Sequence, residues 1–189
     1  MIRFSGLFPV VAVLLVGCAV DSSELKLEVR IDFSQVPELY SIDVEWDRLA
    51  LQRDDEDLGP NPPKGHGVLL DSTWSELPAI APLQRFVRSS DAHQALYDGR
   101  VETGGMGRVW PVALSLKAAT ASGKELPIYS ILEPITVKFP LLRGAKTTIR
   151  VELMVLRSLG AAAGSYALYT KDAYWSEGAS GDASVRTVW

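Results

Sequence analysis

A single cysteine, two histidines and no apolar run near the roughly 20 residues of a membrane-spanning helix bound this 189-residue chain. One cysteine cannot close an intramolecular disulfide, so packing alone must hold the fold. Two histidines, His66 and His93, leave few ways to build a transition-metal site or a catalytic triad. No Gly-x-Ser-x-Gly elbow offers a serine nucleophile. Gly104-Gly105-Met106-Gly107 lacks the lysine of a phosphate loop and the spacing of a dinucleotide fingerprint, and it precedes a strand pattern where a helix would be needed. It reads as a turn, and no cofactor is implied. Positive charge is in short supply too. The chain has 19 Lys and Arg against 23 Asp and Glu, a net charge of −4, and no basic stripe to suggest nucleic acid.

What is present begins at the N-terminus. Arg3 precedes an apolar run over residues 7–16, and Leu15-Val16-Gly17-Cys18 ends that run on the only cysteine. A basic start, an apolar stretch too short to span a bilayer and small residues at its end make residues 1–17 a signal peptide. Leu15-Val16-Gly17-Cys18 resembles the lipobox of bacterial lipoproteins, whose cysteine thiol is diacylated and whose chain is cut just before it. The resemblance implies lipid on Cys18, with residues 18–23 as lipidated cysteine and tether. The competing reading is a buried free thiol. Two acyl chains would anchor the protein durably where one would not. Ala19 stands where an inner-membrane retention signal, usually Asp, would follow the cysteine. By the same resemblance this implies the outer membrane.

The rest of the chain alternates. Over residues 24–33, Leu25, Leu27, Val29, Ile31 and Phe33 occupy one face, and Glu24, Lys26, Glu28, Arg30 and Asp32 the other. Period two is a strand with one buried and one wetted face. A second run carries Ile42, Val44 and Trp46, after which the apolar phase moves to Leu49 and Leu51, predicting a bulge near Asp47-Arg48. Residues 53–66 are charged, then rich in proline and glycine, and read as an exposed loop. Residues 68–70 suggest a short buried strand. Within residues 72–96 two stretches look weakly helical, the better one capped by Ser90 and closed by Gly99. Trp110, Val112, Leu114 and Leu116 fall in phase as a strand, and another covers about residues 125–132. Ile135, Val137, Phe139 and Leu141, then Arg143-Gly144-Ala145, then Ile149, Val151, Leu153 and Val155 predict a β-hairpin. The expected fold is an all-β antiparallel sandwich of about seven or eight strands, with short helical segments in the middle third. It would occupy residues 24–175 as one domain, leaving 176–189 as a loose C-terminal tail.

The order of these elements resembles a group of uncharacterised bacterial lipoprotein domains of the transthyretin (prealbumin-like) β-sandwich type. The resemblance covers about residues 25–158 and rests on strand order, including Lys138-Phe139-Pro140-Leu141-Leu142-Arg143-Gly144 feeding residues 147–155. Such domains carry Gly-x-Tyr before the central strand, where this chain has Gly107-Arg108-Val109. They have no established catalytic residues, so the resemblance implies none here.

Few side chains suggest chemistry. Asp54-Asp55-Glu56-Asp57 concentrates negative charge, which makes Asp54, Asp55 and Asp57 candidates for Ca²⁺. The Asp-x-Asp-x-Asp-Gly spacing is missing, and a solvated loop is the simpler reading. Five tryptophans are unusual. Trp46 and Trp110 fall in phase with core positions, whereas Trp74, Tyr174 and Trp175 stand in loop or edge context and suggest a surface for glycan or protein. Trp189 faintly resembles the terminal aromatic of outer-membrane barrels. The expectation is therefore a membrane-anchored envelope lipoprotein with a non-catalytic binding or structural module, partnered by an envelope protein or glycan. The alternatives are a hydrolase of envelope polymers resting on His66 and His93, or a small outer-membrane assembly factor.

Overall fold

The computed structural model describes residues 21–54, 74–158 and 164–178. Cys18, Asp55, Asp57, His66, the segment 68–70 and Trp189 lie outside the described residues. Among those described there are eleven strands and no helix: β1 (Ser22–Asp32), β2 (Ser41–Arg53), β3 (Trp74–Leu77), β4 (Leu83–Val87), β5 (Gln94–Glu102), β6 (Gly104–Ala119), β7 (Glu125–Leu126), β8 (Ile128–Ile131), β9 (Ile135–Leu141), β10 (Lys146–Arg157) and β11 (Tyr166–Gly178). They form two mostly antiparallel sheets. The first has the order β5-β1-β10-β11-β8. The second runs β3-β2-β6-β7, with β4 also on β2 and β9 also on β6. The architecture is all-β and sandwich-like.

The core follows from the alternation. Leu25, Leu27, Val29 and Ile31 of β1 are buried, and so are Ile149, Val151, Leu153 and Val155 of β10, which lies parallel to β1 with Leu27 beside Ile149. From the second sheet Ile42, Val44, Trp46, Leu49 and Leu51 join the same cluster. Each such side chain contributes roughly 1.5–3 kcal/mol when fully buried. The bulge expected near Asp47-Arg48 is present, as a register shift between Trp46 and Arg48 against β6. It moves Leu49 and Leu51 onto the buried face, so β2 stays apolar inside despite its phase change.

Several expectations need correction. Among the described residues no helical segment occurs in the middle third. The stretch expected to be the better helix supplies β5, which pairs antiparallel with β1 and buries Leu96 and Tyr97. A cross-strand position for Tyr97 opposite Leu27 outweighs a weak local helical tendency. Gly99 is no helix cap; the Tyr97 ring packs over it, so close that a Cβ there would meet the hydroxyl at 2.7 Å. Ile135–Leu141 and Lys146–Arg157 do not pair as a hairpin either. β9 bonds to β6 in the second sheet and β10 to β1 and β11 in the first. Arg143-Gly144-Ala145, with Gly144 at φ +70°, therefore carries the chain from one sheet to the other. Pro127, which has no amide proton to give a ladder, divides the strand expected over residues 125–132. β7 joins the second sheet and β8 the first. β11 reaches Gly178, three residues into the segment expected to be a tail.

Candidate functional site

The polar half of the β1 alternation becomes a ladder of charge once β10 lies beside it. Glu28 is opposite Arg150 and Arg30 opposite Glu152. Arg30 Nη2 reaches Glu152 Oε1 at 2.7 Å, and Arg150 Nε reaches Glu28 Oε2 at 3.0 Å. Lys26 Nζ adds a second contact to Glu28 at 2.7 Å. Lys171 of β11 extends the row, 2.9 Å from Asp32. These charges alternate in sign along and across the strands.

Burial and pairing set their titration. Burial raises the Glu28 carboxyl, but hydrogen bonds from Lys26 and Arg150 outweigh it and leave the pKa below the usual value. Asp32 is drawn down to about 2, first by Lys171 and then by the Ser34 amide, whose N–H donates to Oδ1 at 2.8 Å. Two aromatic rings roof the ladder. Tyr174 leaves β11 beside Arg150, and His93 precedes β5 at the other side of β1. They meet edge to face, with ring centroids 6.4 Å apart and the Tyr174 hydroxyl 3.4 Å from Nε2 of His93. Burial lowers the His93 pKa, and the positive charges of Arg30 and Arg150 lower it further, which favours the neutral ring.

Where β1 ends, this face opens into a polar cleft of about 280 Å³. Arg30, Asp32, Ser34, Arg88 and Asp91 supply its polar lining. Arg88 is held by donating from Nη1 to the Pro37 carbonyl. Arg30 has one buried nitrogen, Nε, with no hydrogen-bond partner. Guanidinium donors beside carboxylate acceptors suit a ligand that carries both kinds of group.

The structure separates the three residues expected to form one surface. Tyr174 stands on the outer face with His93. Its neighbour Trp175, opposite Ile149, packs against the core from the inner face. Trp74 belongs to β3 in the other sheet, opposite Gln52, and meets Trp110 edge to face at 6.2 Å. Trp46 is core as expected, whereas Trp110 is not part of the core cluster. It lies opposite Ala50 and donates its indole N–H to the Leu132 carbonyl at 2.9 Å. The inward residue is its neighbour Val109, opposite Leu51, and Leu114 is 57 % exposed.

Asp54 is occupied structurally. Its amide donates to the Gly105 carbonyl at 3.0 Å, and its carboxylate lies 3.4 Å from Lys138 Nζ. Among the described residues no group of three or more His, Cys, Asp or Glu is arranged around a metal-sized site. Sequence reading missed the ladder because its charges are what a wetted strand face carries. The opposed signs of Glu28 and Arg30 against Arg150 and Glu152 are the available signal, and they mean something only once β1 and β10 are known to pair. No protein-family model matches the chain, and no curated protein or solved structure matches it either.

Proposed function

We propose that the chain is a bacterial envelope lipoprotein, held in the outer membrane by acyl chains on Cys18. Its sandwich, of transthyretin type, is a non-catalytic module that binds an envelope protein or glycan. The observation that carries this reading is Leu15-Val16-Gly17-Cys18 at the end of a basic-then-apolar leader. The cleft supports the binding part, since Arg30, Arg88, Asp32 and Asp91 offer donors and acceptors at one mouth. Metabolic labelling with an acyl analogue tests the anchor. Label should enter the wild type and be absent from Cys18→Ser, because a hydroxyl is a far weaker nucleophile than a thiolate. Mild cross-linking in intact envelopes tests the module. Wild type should capture a protein or glycan that the Arg88→Ala/Asp91→Ala pair captures less well, and equal capture would remove the cleft from the reading.

A further inference from the structure

The turn that carries the chain between the sheets is fastened to the start of β1. The Glu24 amide and the Ser23 hydroxyl both donate to the Ala145 carbonyl, at 2.9 and 3.0 Å. The Gly144 amide donates to the Ser22 carbonyl at 3.2 Å, and Arg143 Nη1 lies 3.2 Å from Asp21 Oδ1. The tip of this turn, Leu142-Arg143, is open to solvent: Leu142 is 50 % exposed, and the Arg143 side chain 74 %. An exposed leucine beside an exposed arginine suits the boundary of a bilayer. The leucine can lie among acyl chains while the guanidinium reaches lipid phosphates.

The chain between Cys18 and Asp21 says what lies there. Three residue steps of at most about 3.6 Å each keep Asp21 within roughly 11 Å of the cysteine. We infer that, when Cys18 is acylated, the Leu142-Arg143 tip docks on the phospholipid surface as a second membrane contact and sets the orientation of the domain. This rests on the lipoprotein reading above. β1 then stands away from the bilayer. Its eleven residues, at about 3.3 Å each, span roughly 35 Å and place the Arg30–Asp91 cleft at the far end, pointing away from the membrane.

The test uses the full acylated protein, purified in detergent and reconstituted into phosphatidylethanolamine–phosphatidylglycerol vesicles. Single cysteines at Leu142→Cys and Ser89→Cys carry an environment-sensitive fluorophore; the Cys18 sulfur is blocked by its lipid. With lipid-borne quencher present, the probe at 142 should be blue-shifted and quenched, and the probe at 89 should be neither. Arg143→Glu combined with Leu142→Cys should reduce the quenching at 142 while the protein still floats with vesicles. Water-like emission at both positions in floating protein would overturn the docking and leave the anchor standing. Protein that fails to float would overturn the anchor, and the docking with it.

Discussion

Phe139→Ala measures whether β9 faces the core as described. Phe139 is 3 % exposed, opposite Met106 in the second sheet and inside the common core cluster. Truncating it removes most of an aromatic side chain and leaves a hole bordered by two sheets that cannot both relax into it. A buried Phe→Ala change costs about 3–5 kcal/mol, out of a total stability of roughly 5–15 kcal/mol. For a domain of this size each kcal/mol moves the melting temperature by about 2–4 °C, so the drop should be about 6–20 °C. Lys138→Ala is the control. Its side chain is 63 % exposed on the opposite face and meets Asp54 only at 3.4 Å, so it should cost less than about 0.5 kcal/mol. Urea melts of both variants, with unchanged m-values, give the comparison directly. Equal destabilisation by the two would mean that the register of β9 is wrong.

Other expected outcomes follow from the same contacts. Gly99→Ala places a Cβ 2.7 Å from the Tyr97 hydroxyl and 3.0 Å from its ring, displacing a side chain that donates to the Arg100 carbonyl at 3.1 Å. It should cost about 1–3 kcal/mol in chemical denaturation, and clearly less in a Tyr97→Phe background. Backbone NOEs should connect Met106 with Phe139, and beyond the turn between Leu141 and Lys146 no ladder of them should join β9 to β10; such a ladder would restore the hairpin. Glu38 accepts from Arg157 Nε at 3.2 Å and from the Tyr166 hydroxyl at 2.7 Å, which draws its carboxyl down to about 2. In acid, Asp32 and Glu38, both with folded pKa values of about 2 against 3.8 and 4.5, should contribute stability fully above pH 4.5 and lose it as pH falls toward 2. His93 has a folded pKa below 6.5, so the unfolded chain takes up its proton first and stability should begin to fall below pH 6.5. His93→Gln should remove that upper step in melts across pH and leave the acid one.

Alternation in β1 and β10 made their buried faces legible, and the phase change after Trp46 made the bulge legible, because both are consequences of a two-residue period. The same period is silent about partners. Phe139 and Val151 face the core equally well whether their strands share a sheet or oppose each other across it, so a tight glycine turn looked like a hairpin. Trp110 keeps phase with Val112, Leu114 and Leu116 in the sequence, yet its neighbours Val109 and Pro111 are the buried ones in β6 and Trp110 stays outside the core cluster. The ladder was half visible. Glu28 and Arg30 fall on the wetted face of the β1 alternation, and only the register of strands 122 residues apart sets them against Arg150 and Glu152.

That register also governs the order in which the domain can be assembled as the chain is made. The first strand sits second from the edge of its sheet, and its inner neighbour is β10. An emerging polypeptide must therefore hold β1 unpaired on that side until nearly the whole domain exists, with Leu25, Leu27 and Val29 still uncovered. Closing so long a loop is entropically slow, and exposed strand edges attract other chains in the meantime. Vectorial emergence, from a ribosome or from an export channel, thus imposes a waiting period on the first of the described strands.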